Sequence, residues 1–153
     1  MGNLNSLIIA NGRTWERVFI PNEEAADKTS CLRKGVASSI YETKSQKVIR
    51  VFVNGPLPLH NRDSEFCSNK IGNCGCIHSE VLACSWILCN PELHDLILLS
   101  SYSPCKSCAN MIILSDRILG VVYRTKTEHY EDGEELLVRN GIPCVHIHDC
   151  DFR

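Results

Sequence analysis

Two short stretches constrain the fold of this chain more than anything else in it: His78-Ser79-Glu80 and Pro104-Cys105-Lys106-Ser107-Cys108. Cys105 and Cys108 lie one helical turn apart, so a helix beginning there brings both thiolates to one point, where its N-terminus favours their negative charge. His78 stands before Val81, Leu82, Cys84, Ser85, Ile87 and Leu88, which read as a second helix, closed by Asn90-Pro91. One His, two Cys and a nearby Glu are the residues needed to hold a metal with one coordination position left for water. That chemistry requires both helix starts to face the same point. The 23 residues between the motifs, 81 to 103, must therefore carry the chain away along a helix and back along a strand.

The rest of the pattern suits that demand. Leu96-Ile97-Leu98-Leu99 is a short, continuously apolar run of the kind buried on both faces of a sheet. After the Cys-x-x-Cys, Lys106 to Ser115 reads as a helix, Leu119 to Tyr123 as a strand, Asp132 to Asn140 as a helix capped by Gly141, and Cys144 to Ile147 as a last strand. Upstream, Trp15, Val18 and Phe19 have helical spacing. Pro21 is expected to break that helix, with a second starting at Asn22 and running to about Ser30. Gly35 to Tyr41 and Val48 to Val53 read as an antiparallel hairpin joined by the polar residues 42–47, and the turn residues Asn54-Gly55-Pro56 end it. A long loop from about Leu59 to Cys76 follows. A hairpin followed by helix–strand units predicts an α/β fold, a three-layer α/β/α sandwich around a five-stranded mixed sheet. The whole chain, 1–153, reads as one domain, with residues 1–12 a loose end or edge segment.

Composition narrows the function. The net charge of -2 and pI near 6.3 argue against a protein that holds nucleic acid through phosphate neutralisation. Ten cysteines are about twice what an ordinary chain of this length carries. The start, Met1 to Ser6, has no basic segment followed by a long apolar run, so a cytoplasmic chain with reduced, metal-binding thiols is expected rather than a secreted disulfide framework or a membrane protein. A lone Cys-x-x-Cys would fit a structural zinc or a redox pair as well as a catalytic metal. The His-x-Glu and the preceding Pro favour the catalytic reading, with Glu80 placed to take a proton from metal-bound water and pass it on.

His-x-Glu followed by Pro-Cys-x-x-Cys is the signature of zinc-dependent nucleoside and nucleobase deaminases, and the chain resembles that superfamily, whose fold is the cytidine deaminase-like one. The resemblance implies zinc on His78, Cys105 and Cys108, with Glu80 as proton shuttle in the hydrolytic removal of an exocyclic amine. Within the superfamily the chain looks most like the deoxycytidylate (dCMP) deaminases, over about Asp27 to Ile147. The likeness rests on Cys31 and Arg33 before the first strand, Asn54-Gly55-Pro56 after the second, a Cys-bearing loop, Tyr123, and Leu136 to Ile142. Free-cytidine deaminases commonly carry Cys where His78 stands, so the His speaks for the nucleotide and polynucleotide branches. Two residues depart from the family pattern: Ser79 replaces the usual Ala, and Phe52-Val53 replace a Gly-Tyr.

Further expectations follow from the resemblance. Asn54 would hold the sugar; Ser103 and the region of Ser79 would touch base or sugar; Tyr123 and Tyr130 would line the pocket or the phosphate side. Arg33, Lys34, Lys106 and Arg124 are candidates for the phosphate. Cys31, Cys67, Cys74 and Cys76 fall where several dCMP deaminases carry a second, structural zinc. The competing reading is a single zinc with these thiols reduced and loosely packed. Family members are often homo-oligomers, and many respond to dCTP and dTTP. The first expected activity is hydrolysis of dCMP to dUMP. The alternatives are a deaminase of cytosine or adenine in single-stranded nucleic acid or tRNA, and a catalytically idle, zinc-stabilised binding domain, which would have no use for Glu80.

Overall fold

The computed structural model describes residues 15–56, 67–70, 74–127 and 132–150. Five strands form one mixed sheet in the order β2-β1-β3-β4-β5: β1 Ala37–Glu42, β2 Lys47–Val53, β3 Leu96–Tyr102, β4 Ile118–Thr125 and β5 Cys144–His146. β1 runs antiparallel to both β2 and β3, whereas β3, β4 and β5 are parallel. The helices are α1 Trp15–Ala26, α2 Ser79–Cys89, α3 Lys106–Ser115, α4 Glu134–Arg139 and α5 Ile147–Cys150.

The period-2 alternation of strand side chains sorts the core into two layers. Ile40, Leu96, Leu98 and Val121 face α2, α3 and α4, where they meet Ala83, Cys84, Ile87, Ala109, Ile112 and Leu137. Tyr41, Ile97, Leu99 and Val122 face the other way, onto Trp15, Val18 and Phe19 of α1 and Ile147 of α5. Leu96 through Leu99 are fully buried, as their uninterrupted apolar run requires. The expected three-layer α/β/α architecture is the one observed.

One local expectation fails. Pro21 does not end the first helix; Trp15 to Ala26 is a single helix with the proline inside it. The next residue supplies the reason. Asn22 is fully buried and donates through Nδ2 to the carbonyls of Ala37 (3.3 Å) and Leu99 (3.0 Å), clamping the middle of α1 onto two strands. These tertiary bonds hold the helix through the position where the proline lacks its own N–H. Replacing Asn22 with Ala removes both bonds, leaving the Ala37 carbonyl with Ser101 Oγ at 3.0 Å, and is expected to cost about 1–3 kcal/mol in urea unfolding.

Candidate metal centre and cleft

Both predicted helix starts are real, and they face each other. His78 and Cys105 are the N-cap residues of α2 and α3, each with extended backbone and neither making a side-chain cap hydrogen bond. Their side chains are directed to one another instead. His78 Nδ1 lies 3.8 Å from Cys105 Sγ and 3.3 Å from Cys108 Sγ. One ligand atom from each of the three residues fits within a 4.8 Å cluster. Ordinary zinc–nitrogen and zinc–sulfur bond lengths at a tetrahedral angle put N and S roughly 3.6 Å apart, so the donor set has the span zinc would need.

The three donors shift one another's protonation. Hydrogen bonding from Cys108, then from His78, pulls the Cys105 thiol down to about 4. The same Cys105 contact, followed by burial, pushes Cys108 up. Contact with Cys105 raises His78. Glu80, in the first turn of α2 and only 4% exposed, is raised above the usual carboxylate range, chiefly by burial.

The chain around the centre is pinned from several sides. Gly55 and Ile77 exchange backbone hydrogen bonds (3.3 and 2.8 Å), which ties the residue before His78 to the end of the hairpin. Gly133 at the start of α4 donates to the Pro104 carbonyl at 3.0 Å, and a Cβ there would lie 2.6 Å from the carbonyl oxygens of both Pro104 and Cys105. Only glycine allows that approach.

A second set of donors lies along the same cleft. Sγ atoms of Cys31, Cys67, Cys74 and Cys76 are all within 4.8 Å of one another. Cys31 Sγ is 4.0 Å from Cys67 Sγ and 3.8 Å from Cys74 Sγ. The edge of a zinc–tetrathiolate tetrahedron is about 3.8 Å. Backbone hydrogen bonding near Leu32 is the first cause that lowers Cys67, to about 7, whereas burial is the first cause that raises Cys76. None of the nine cysteines with described side chains is in a disulfide.

The cleft itself is lined by Cys31, Arg33, Lys34, Val36, Asn54, Cys74, Cys76, His78, Glu80, Tyr102, Ser103, Cys105 and Thr127. Its substrate-side residues differ in part from expectation. Asn54 lines it but is already engaged: Oδ1 accepts from Val36 N (2.9 Å) and Thr29 Oγ1 (2.7 Å), and Nδ2 donates to the Lys34 carbonyl (2.8 Å). Asn54 thereby braces the loop that carries Cys31, Arg33 and Lys34. Ser103 also lines the cleft, and its Oγ accepts from Thr127 N at 2.8 Å. Ser79 turns the other way. It is fully buried, bonded to Ser38 Oγ at 2.8 Å, and does not line the cleft. Tyr123 likewise belongs to the core, donating to Glu134 at 3.1 Å, and the aromatic ring in the cleft is that of Tyr102. Tyr130 lies outside the described residues. Of the phosphate candidates, Arg33 and Lys34 line the cleft; Lys106 and Arg124 do not, and Arg124 pairs with Glu23 at 2.7 Å. Sequence reasoning did not single out Tyr102 or Thr127, which carry no motif and are brought in by the ends of β3 and β4.

The fold is cytidine deaminase-like. The dCMP deaminase of cyanophage S-TIM5, in complex with dCMP and dUMP, superimposes with a TM-score of 0.70 at 20% identity, covering 86% of this chain and 95% of that one. The guanine deaminase of Nitrosomonas europaea matches with a TM-score of 0.53 at 17% identity, over 98% of this chain and 94% of that one. The Rib2 deaminase of Aspergillus oryzae, in complex with DARIPP, matches with a TM-score of 0.55 at 15% identity, over 84% and 81%. No protein-family model matches the chain, and no curated protein matches it in sequence. Among the described residues no helix is long and apolar enough to cross a membrane.

Proposed function

We propose that this chain is a zinc-dependent hydrolytic deaminase that converts dCMP to dUMP and ammonia. The observation that carries the reading is the convergence of His78, Cys105 and Cys108 on one point beside the buried carboxyl of Glu80, in a single cleft. His78, Cys105 and Cys108 would hold the ion and leave one position open. When bound, zinc acidifies a water molecule toward neutrality, making a nucleophile of it. Glu80 would take the first proton of the water and deliver it to the ring nitrogen, then take the second, from the hydroxyl added to the ring carbon, and deliver it to the departing amine. Water and dCMP in, dUMP and ammonia out, balances with Glu80 returned to its starting state.

Charge supports an anionic substrate. Among the described residues, the cleft lining holds two basic side chains, Arg33 and Lys34, against one carboxylate, that of Glu80. Partial burial and then the neighbouring Arg33 charge lower Lys34, and its Nζ sits 3.3 Å from the centre of the Tyr102 ring. Lys126, just beyond β4, is held by Asp132 at 2.8 Å and by Glu134. A 5′-phosphate placed toward Arg33 and Lys34 would meet two positive charges.

The test is ammonia release from dCMP, deoxycytidine, guanine and a cytosine-containing oligonucleotide by the zinc-loaded protein. dCMP is expected to be the best substrate. Arg33→Ala is expected to raise KM for dCMP about tenfold, one charge-assisted hydrogen bond's worth, while leaving that for deoxycytidine unchanged. Conversion of the oligonucleotide or guanine alone would defeat the substrate assignment.

A further inference from the structure

Behind Glu80, on the side away from the cleft, three serine hydroxyls meet. Ser38 on β1 and Ser100 on β3 are paired across the antiparallel ladder, and both side chains face the layer occupied by α2. Ser79 is the first residue of α2 and comes down onto them. All three are fully buried. Ser79 Oγ donates to Glu80 Oε2 (3.3 Å) and Ser100 Oγ to Glu80 Oε1 (3.2 Å). Ser38 Oγ closes the circle, 2.8 Å from Ser79 Oγ and 3.4 Å from Ser100 Oγ.

We propose that Ser38, Ser79 and Ser100 form a hydrogen-bonded ring whose role is to position the Glu80 carboxylate for proton transfer. The inference rests on the reading of Glu80 as the proton carrier. A glutamate reaches its carboxylate through three rotatable bonds, and a proton carrier misplaced by about 1 Å loses on the order of 10²-fold in rate. Here each carboxylate oxygen has its own hydroxyl donor, and the two donors stand on different elements, a helix start and a central strand. Ser38 has no contact with Glu80 and one proton for two neighbours; with Ser79 and Ser100 both donating to the carboxylate, it donates to Ser100 and holds Ser79 by close approach. A partner is not automatic at this depth in the sheet: the next residue, Ser39, is equally buried and its hydroxyl has no partner among the described residues. The serines are positioning residues, since none lines the cleft.

The test compares Ser38→Ala, Ser79→Ala, Ser100→Ala, the Ser79→Ala/Ser100→Ala double variant and Ser100→Thr, each loaded with zinc. The double variant is expected to lose about 10²-fold in kcat with KM for dCMP within about twofold, zinc content kept and thermal midpoint within a few degrees. Ser38→Ala should show a smaller fall, and Ser100→Thr, which keeps the hydroxyl, should recover most of what Ser100→Ala loses. Full kcat in the double variant, or kcat falling only together with the midpoint, would overturn the ring. A wild-type protein that deaminates no substrate would overturn the functional reading instead. The ring would then be judged by crystal structures: a Glu80 carboxylate displaced or split in the double variant supports it, and one that has not moved refutes it.

Discussion

Glu80→Gln is expected to lower kcat for dCMP by about 10³-fold or more, within the range that a positioned acid–base group contributes, while zinc content and thermal midpoint stay at wild-type values. Glutamine has the shape of glutamate and can still accept from Ser100 through Oε1. Its Nε2 would face Ser79, whose hydroxyl can turn to accept. The ring behind the side chain therefore survives with one hydrogen bond reversed, and burying a neutral amide here costs less than burying a carboxylate that is 4% exposed. What the variant cannot do is take a proton from water and return it. Retention of more than a tenth of wild-type turnover would remove Glu80 from the chemistry. Retained zinc is the control that separates this result from collapse of the His78–Cys105–Cys108 set, and Cys105→Ser supplies the contrast: both zinc and turnover should be lost.

The features legible in the sequence are those in which local pattern and tertiary role agree. Lys106 to Ser115 was bounded correctly because the Pro-Cys motif starts that helix and Asp116, at φ 54°, stops it. The four leucine and isoleucine residues 96–99 could be nothing but a buried strand. The reading fell short where packing overrides pattern. Asn22 rescues a helix that Pro21 should end, through carbonyls on strands far away in sequence. The strand beginning at Leu96 continues through Ser100 and Ser101 to Tyr102, past the point where its apolar run stops, because buried Ser100 bonds Glu80 and half-buried Ser101 bonds the backbone of Ala37. Position along the strand then decides which tyrosine reaches the cleft: Tyr123 pairs with Ser100 and packs in the core, while Tyr102, two residues further along on the same face, ends β3 at the mouth. The serine ring has no linear signature at all, since its members stand at positions 38, 79 and 100 and look like ordinary small polar residues. The braces of Asn54 to Thr29, Lys34 and Val36 likewise depend on a loop whose path no periodicity announces.

The second large effect is expected at the four-cysteine cluster. Purified protein should contain two zinc ions per chain, and Cys74→Ser should reduce this to one, lower the thermal midpoint by roughly 10 °C, and raise KM for dCMP more than it lowers kcat. Four sulfur donors leave no position for water, so an ion held by Cys31, Cys67, Cys74 and Cys76 would be structural, in contrast to one on His78, Cys105 and Cys108. What it would stabilise can be read from the neighbours of its ligands. Cys31 stands two residues before Arg33 and three before Lys34, and Cys76 two before His78. A single ion would thus tie the cationic side of the cleft to the start of α2. Without it, the loop from Thr29 to Val36 keeps Asn54 as its brace, together with the fit of Gly35 against the end of α1, where a Cβ would meet the Ala26 carbonyl oxygen at 2.2 Å. The phosphate side should therefore loosen while the chemistry at Glu80 persists, which is why KM is expected to respond more than kcat. The thiols must be deprotonated to bind, so acidification should release this ion and reproduce the variant's KM in the wild-type chain. One zinc per wild-type chain, with the midpoint and KM of Cys74→Ser unchanged, would mean that these four thiols pack together without a metal.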